Sequence, residues 1–271
     1  FQPAYPFCQA LIIINARVRG QYAVKVVAVI PARYASTRFA GKVLARDTGK
    51  YLIQHTYERA SQARLIEKVV IATDDEKVLA AAESFGADCV MTSVDHQSGT
   101  DRIAEAVARM DVDIVVNVQA DEPEIDPENI DTLARLLIDN PDCPMATLAA
   151  QFETAAQVSD PNIVKVVVDR NGRAIYFSRS PIPYDRDHQG VAAPGRYLRH
   201  LGIYAYRKDF LSQITSLEQT PLEKMEKLEQ LRVIENGFDI LVAKVEHTCA
   251  GIDTPQQYAE FVRRCKGGAG G

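Results

Sequence analysis

Val24-Lys25-Val26-Val27-Ala28-Val29-Ile30 runs directly into Pro31-Ala32-Arg33-Tyr34-Ala35-Ser36-Thr37-Arg38-Phe39-Ala40-Gly41-Lys42. The first part is rich in β-branched side chains and stops at a proline, the pattern of a buried strand. The second part is a loop carrying Arg33, Arg38 and Lys42 among small hydroxyl residues and Gly41. In open α/β sheets the ligand crevice lies outside the C-terminal ends of the parallel strands. Three cations on such a loop suit a polyphosphate, since guanidinium offers a planar fork of donors and ammonium a point charge. A solvated basic loop has the same composition. The phosphate loop of ATPases is excluded, because Lys42 is followed by Val43 and position 36 is Ser rather than Gly.

Outward from this stretch the strand–helix rhythm continues. Tyr51 to Ala63 reads as a helix, Lys68 to Thr73 as a strand, and Asp75 to Phe85 as a helix stopped by Gly86. Asp88 to Met91 is a short strand, Asp101 to Met110 a helix, Asp113 to Gln119 a strong strand, Pro127 to Asp139 a helix, and Met145 to Ala149 is extended. Such alternation predicts a mainly parallel central sheet with helices on both faces, an α/β fold. The rhythm then changes. Ile163 to Asp169 and Ala174 to Ser178 flank Asn171-Gly172, which predicts a hairpin with both turn residues at positive φ. Tyr197 to Tyr206 is extended. Thr220-Pro221-Leu222-Glu223 opens a helix that runs to Asn236-Gly237, with Leu222, Met225, Leu228 and Leu231 along one side. Phe238 to Val245 is a late strand, and Thr254-Pro255-Gln256-Gln257 opens the last helix. No repeat or linker interrupts the chain. The reading is an N-terminal extension over 1–23, a single α/β domain over 24–265 with an inserted antiparallel portion at about 150–250, and a Gly-rich tail over 266–271.

The chain has 271 residues and a formal net charge of -5, without long like-charge runs. A nucleic-acid partner is not expected, since phosphate neutralisation needs a basic face. Cysteines at 8, 89, 143, 249 and 265 form no CxxC pair and are odd in number, which fits a reducing cytoplasm better than zinc or disulfides. No apolar run reaches the ~18 residues of a spanning helix, and the N-terminal stretch lacks a signal-peptide layout, so no membrane partner is expected.

Two segments carry carboxylates of interest, the first a candidate for a metal. Gln119-Ala120-Asp121-Glu122-Pro123 ends a strand, which directs Asp121 toward the same crevice as the basic loop. Magnesium takes one or two carboxylates together with phosphate oxygens and water. Asp253, in Gly251-Ile252-Asp253-Thr254-Pro255, stands beside a helix start, where an acidic group also favours the helix dipole.

These segments together resemble the cytidylyltransferases that activate 3-deoxy-manno-octulosonate (Kdo). The basic loop is similar to that family's I-P-A-R-Y-x-S-T-R-x-x-G-K, with Phe39-Ala40 where the family usually has Leu-Pro. Gln119 to Pro123 resembles Q-G-D-E-P, with Ala120 for Gly. Ala72-Thr73-Asp74, Asp95 to Arg102, Tyr176 to Arg179, Arg199-His200-Leu201-Gly202-Ile203-Tyr204, Leu228-Glu229-Gln230-Leu231-Arg232 and Gly251 to Pro255 match further family segments. The resemblance covers about Val27 to Pro255. It implies a nucleotide-diphospho-sugar transferase-like, Rossmann-like fold and transfer of CMP from CTP to the acidic sugar, for lipopolysaccharide synthesis, by a cytoplasmic homodimer with Mg2+.

It implies Lys42, Arg38, Asp121 and Asp253 as catalytic residues, the two aspartates holding the metal. Pro31, Ala32, Arg33, Ser36, Lys42, Ala72, Thr73, Asp74, Ser98, Gly99 and Gln119 are expected around the nucleotide. Gln119, Arg179, His200, Tyr204, Glu229 and Gln230 are expected around the sugar, where Arg or His suits the carboxylate and Gln, Glu and Tyr the hydroxyls. A sialic acid or an amino-substituted Kdo as acceptor, or a homologue that binds without catalysis, are the alternatives.

Overall fold

A computed structural model describes residues 23–35, 39–188, 190–191, 193–249 and 251–267. Most of the N-terminal extension, Ser36, Arg38 and the end of the Gly-rich tail lie outside the described residues. The strands are β1 (Val26–Ala32), β2 (Lys68–Thr73), β3 (Asp88–Met91), β4 (Ile114–Asn117), β5 (Met145–Gln151), β6 (Lys165–Val168), β7 (Ala174–Ser178), β8 (Leu198–Arg207) and β9 (Ile240–Lys244). The helices are α1 (Leu52–Ala60), α2 (Glu76–Ser84), α3 (Gly99–Val107), α4 (Pro127–Asp139), α5 (Ala155–Ser159), α6 (Lys208–Ser216), α7 (Pro221–Glu226), α8 (Gln230–Glu235) and α9 (Pro255–Gly267).

The strands form one sheet in the order β3-β2-β1-β4-β8-β5-β9, and β6, with β7 beyond it, pairs with the start of β8. β1 is parallel to β2 and β4, β2 to β3, and β5 to β9. β8 runs antiparallel between β4 and β5. The period of two in β1 explains how the sheet is covered. Val26, Ala28 and Ile30 enter the core under α1, α2 and α4, while Val27 and Val29 enter the core under α3, α6 and α8. Burial on both faces is why β1 is almost continuously apolar.

Against β5, β8 shifts register between the pairs Thr147↔Tyr204 and Leu148↔Leu201. Gly202 and Ile203 are extra residues on β8, and such a bulge bends the strand. The bend falls just past the end of β4, beside Gln119, whose Nε2 donates to Gly202 O at 3.2 Å.

Two local expectations are corrected. The β6–β7 hairpin exists, but Gly172 is at φ 79° whereas Asn171 is not at positive φ. The Asp169 carboxylate accepts the N–H groups of Asn171 at 2.7 Å and Arg173 at 2.8 Å, and this selects a three-residue loop with one left-handed glycine. The helix from Thr220 is also broken. Lys227 takes φ 54° between α7 and α8. Glu226 turns away to bond Ser178 Oγ and Arg179 N, and Glu223 pairs with Arg232 across the break. Leu228 and Leu231 are buried, whereas Met225 is exposed.

Candidate active site

The basic loop leaves β1 and is closed at its base by Gly41 N–H donating to Tyr34 O at 3.1 Å. Gly41 sits at φ 67°, in the left-handed region, and a Cβ there would come within 3.2 Å of the Tyr34 ring. The turn delivers Lys42 into a cleft of about 380 Å³ lined by Pro31, Arg33, Ala35, Lys42, Val43, Gly99, Gln119, Ala120, Asp121 and Asp253. Residues from four separated segments therefore meet at the strand C-terminal ends.

Lys42 organises the centre of the cleft. Its ammonium donates to Asp121 Oδ2 at 2.7 Å, Ile252 O at 2.9 Å and Asp253 Oδ1 at 3.1 Å. The loops carrying the two aspartates are joined through the backbone, where Ile252 N–H donates to Asp121 O at 2.8 Å. From below, Thr56 Oγ1 of α1 donates to Ala120 O at 3.2 Å. Both carboxylates lie within 3.1 Å of one nitrogen, so they converge on one cation position. Two hard oxygen donors beside an open cleft fit Mg2+, which completes its shell with water and phosphate oxygens. No cluster of three or more His, Cys, Asp or Glu suited to a metal occurs among the described residues. The neighbouring Glu122 carboxyl is pushed up to about 7 by burial and by Asp121, and the Cys249 thiol donates to it at 3.5 Å.

The nucleotide side is built on α3. Ser98 caps α3 by accepting from Asp101 N–H at 3.0 Å, and the Asp101 carboxylate accepts from Ser98 N–H at 3.1 Å. Arg33 Nη2 donates to His96 O at 2.7 Å, tying the basic loop to the Asp95–Thr100 segment. Thr73 is fully buried at the end of β2. Asp74 beside it pairs with Arg102 at 2.5 Å, and Arg102 itself is fully buried and bonded to Thr92. Asp74 is thus held by an internal cation.

On the sugar side, β8 places His200 and Tyr204 with their rings in contact, 5.4 Å between centroids. Burial pushes His200 down to about 3, so at neutral pH it is uncharged. Its Nε2 meets Thr147 Oγ1 at 3.0 Å, and that hydroxyl faces the carbonyls of Leu201 and Ile203. The hydroxyl gives its one proton to a carbonyl, so the network assigns the His200 proton to Nε2 and leaves Nδ1 as an acceptor. His200 therefore brings a hydrogen bond and not a positive charge. Arg179 is engaged by backbone: its Nε donates to Glu226 O at 2.6 Å and its Nη1 to Pro161 O at 3.0 Å. Glu229 and Gln230 stand at the start of α8. Burial raises the Glu229 carboxyl, and Thr100 Oγ1 donates to it.

The cytidylyltransferase family profile matches residues 27–240. A 3-deoxy-manno-octulosonate cytidylyltransferase from Solibacter usitatus is 49% identical over 242 residues, covering 89% of this chain and 95% of that protein. One from Syntrophotalea carbinolica is 47% identical over 247 residues, covering 89% and 99%. A solved CMP:2-keto-3-deoxy-manno-octonic acid synthetase complexed with CTP superposes with a TM-score of 0.84 at 43% identity, covering 89% of this chain and 98% of that one. The chain belongs to the 3-deoxy-manno-octulosonate cytidylyltransferase family. The fold reaches further than the family. A 4-diphosphocytidyl-2C-methyl-D-erythritol synthase from Anaerococcus prevotii shares it at 13% identity, with a TM-score of 0.58.

As a member of that family, the chain accommodates its departures from the family pattern at Ala120 and Phe39. Ala120 does not have positive φ, so its methyl needs no glycine conformation, and it packs in the core beneath the cleft. Phe39 packs against Tyr258 of α9, with ring centroids 5.7 Å apart, where a leucine would make an apolar contact of the same kind. Arg102 stands in the sequence only as the end of the segment Asp95 to Arg102, and Thr56 does not stand out there at all. Arg102 carries a signal in retrospect, since an arginine on the apolar face of a helix needs an internal acid. Thr56 carries none, because its partner is a backbone carbonyl 64 residues away.

Proposed function

We propose that this chain transfers CMP from CTP to the anomeric hydroxyl of 3-deoxy-D-manno-octulosonate, giving CMP-Kdo and pyrophosphate. The observation that carries the reading is the meeting of Arg33, Lys42, Asp121 and Asp253 in one cleft. Its supports outside the chain are the shared family and the CTP complex of a relative at 43% identity.

The anomeric hydroxyl attacks the α-phosphorus in line, the bond to the bridging oxygen breaks, and pyrophosphate departs with its electron pair. The protein positions the reactants and balances charge, and forms no covalent intermediate. Arg33 and Lys42, with Arg38 from the same loop, neutralise the triphosphate. Asp121 and Asp253 would hold Mg2+, which would supply charge stabilisation at the transferring phosphate. As CTP enters, Lys42 exchanges the carboxylates for phosphate oxygens, which would free Asp121 and Asp253 to hold the ion. The Ser98–Gly99 turn and Asp74 frame the nucleotide. Gln119, His200, Tyr204, Glu229 and Gln230 meet the sugar hydroxyls and carboxylate, and Arg179 fixes the α7–α8 junction around them.

The product feeds lipopolysaccharide-type glycan synthesis in the cytoplasm, where CTP is made and where the free thiols of Cys89, Cys143, Cys249 and Cys265 persist. The working unit is a homodimer. Family resemblance supports this, as do Ile175 and Tyr184, exposed large side chains in the stretch from β7 to β8. Light scattering that returns the monomer mass overturns the dimer.

The test of function is pyrophosphate release from CTP and Mg2+, with Kdo and N-acetylneuraminate compared side by side. Release with Kdo alone is expected. Release with only N-acetylneuraminate overturns the sugar assignment, and release with neither from folded protein overturns the catalytic reading.

A further inference from the structure

At the β8 bulge the backbone carbonyls of Leu201, Gly202 and Ile203 all meet side chains of neighbouring segments. Gly202 O lies 3.2 Å from Gln119 Nε2, while Leu201 O and Ile203 O lie 3.1 and 2.8 Å from Thr147 Oγ1. Thr147 belongs to β5, is fully buried, and stands directly before the register shift that makes the bulge. The third neighbour of its hydroxyl is His200 Nε2, at 3.0 Å.

A carbonyl oxygen only accepts, and this decides the state of both side chains. The end of the Gln119 amide that meets Gly202 O is the nitrogen, which also donates to Asn117 Oδ1 at 3.4 Å. Gln119 Oε1 has no hydrogen-bond partner among the described residues, and Gln119 lines the cleft. Thr147 has one hydroxyl proton and two carbonyls to receive it, so toward His200 it can only accept. The His200 proton is therefore on Nε2. Nδ1 is a bare acceptor, again without a partner among the described residues. The ring is packed between Phe177 and Tyr204, at centroid distances of 4.9 and 5.4 Å, so its plane is held together with its tautomer.

An acceptor takes a proton from a hydroxyl group. It has nothing to offer a carboxylate, which at neutral pH is itself only an acceptor. A site built to bond a hydroxyl also rejects an analogue that lacks it, because the acceptor is then left unpaired.

We propose that the β8 bulge is a specificity device of the sugar site, with Thr147 as its positioning residue: it presents Gln119 Oε1 and His200 Nδ1 as hydrogen-bond acceptors, which read hydroxyl groups of the sugar and take no part in binding its carboxylate. This rests on the reading of Gln119 and His200 as sugar-site residues. The same bend in one strand thereby sets two side chains that come from different elements, Gln119 from beyond β4 and His200 from β8 itself.

The test joins a spectrum to kinetics on the full chain. Imidazole 15N spectra, with His200 assigned by comparison with His200→Asn, are recorded for the wild type alone and with saturating Kdo and CTP, Mg2+ being withheld. The expected result is a neutral ring with its proton on Nε2 in both states, and an Nδ1 signal that moves when the sugar binds. An imidazolium or a proton on Nδ1 in the complex overturns the inference, as does an Nδ1 signal indifferent to the sugar. These spectra need no change at position 147, so they decide even where a variant there does not fold. Thr147→Val keeps the shape and removes the hydroxyl. Its KM for Kdo should rise about tenfold, which corresponds to ~1.4 kcal/mol, with the KM for CTP within about twofold of wild type. Thr147→Ser restores the wild-type tautomer and KM. An unchanged KM for Kdo in folded Thr147→Val, an equal rise in both KM values, or a serine variant as impaired as the valine overturns the role of Thr147. A wild-type enzyme that does not use Kdo overturns the functional reading and this inference with it, whereas an active wild type with a charged His200 in the complex overturns the inference alone.

Discussion

Replacing Lys42 with methionine removes a cation and leaves two carboxylates facing each other. The side chain of Lys42 is 12% exposed, those of Asp121 and Asp253 26% and 41%, so the Lys42–Asp121 bond is the better shielded of the two. A hydrogen bond to a charged group contributes about 1.5–3 kcal/mol when well formed, and the partly exposed Asp253 contact is worth less than that. With the Ile252 carbonyl also losing its donor, a net loss of about 2 kcal/mol is expected. For a chain of this size each kcal/mol lowers the melting temperature by about 2–4 °C, so Lys42→Met should melt about 5 °C below wild type in metal-free buffer. Millimolar MgCl2, balanced against NaCl of equal ionic strength, then has opposite consequences in the two proteins. In the variant the vacated carboxylates take the ion, and most of the lost stability returns. In the wild type without nucleotide the ammonium competes for the same place, and melting moves by about 1 °C or less. A variant that melts with the wild type, or one indifferent to magnesium, would refute the idea that Lys42 and the metal share one position.

Asp121→Asn keeps the hydrogen-bonding shape but removes the charge, and is expected to lower kcat at least about a hundredfold in the pyrophosphate assay. Gly41→Ala forces a side chain into the left-handed region and against the Tyr34 ring, so a loss of about 1–2 kcal/mol should appear in denaturant titration, with a raised KM for CTP. His200 is held at about 3, below the value near 6.5 that it regains on unfolding. Its contribution to stability is therefore complete above pH 6.5 and is lost as pH falls toward 3, with a slope of at most about 1.4 kcal/mol per pH unit. Urea titrations at pH 7 and pH 5 should show a larger drop for the wild type than for His200→Asn; equal drops would remove His200 as the titrating group.

The first half of the fold is legible because local signals agree there. β1 to α4 show β-branched runs, capping residues and Gly86, found at φ 77°, each in its place. The cleft is legible for a related reason: its cations and carboxylates sit at strand ends, which the α/β arrangement brings together whatever the loops do. Legibility fails where distant partners decide. Lys227 adopts a left-handed conformation although lysine has no preference for it, in a break spanned by the Glu223–Arg232 pair and by the Glu226 contacts to Ser178 and Arg179. The hairpin turn followed the Asp169 side chain and not the Asn-Gly pair beside it. Arg179 and His200 were expected around the sugar because Arg or His suits its carboxylate; backbone carbonyls engage Arg179, and burial holds His200 uncharged. The sequence pattern shows that these residues matter to the region, but their protonation and partners depend on what packs around them.

The position of β8 also bears on how the chain comes to be folded at all. The edge of β4 away from β1 pairs only with β8, as does the edge of β5 away from β9, and β8 begins 81 residues after β4 ends. During synthesis, then, a growing chain that already contains β1 to β5 holds β4 with one edge unpaired and β5 with no ladder to join. Pairing that must wait for distant sequence makes folding slow, and the waiting edges are templates for a neighbouring chain. Nascent or truncated chains that end before β8 should accordingly be the aggregating species, and arrival of Leu198–Arg207 is the event that joins the two halves of the sheet, while the cleft still waits for Ile252 and Asp253.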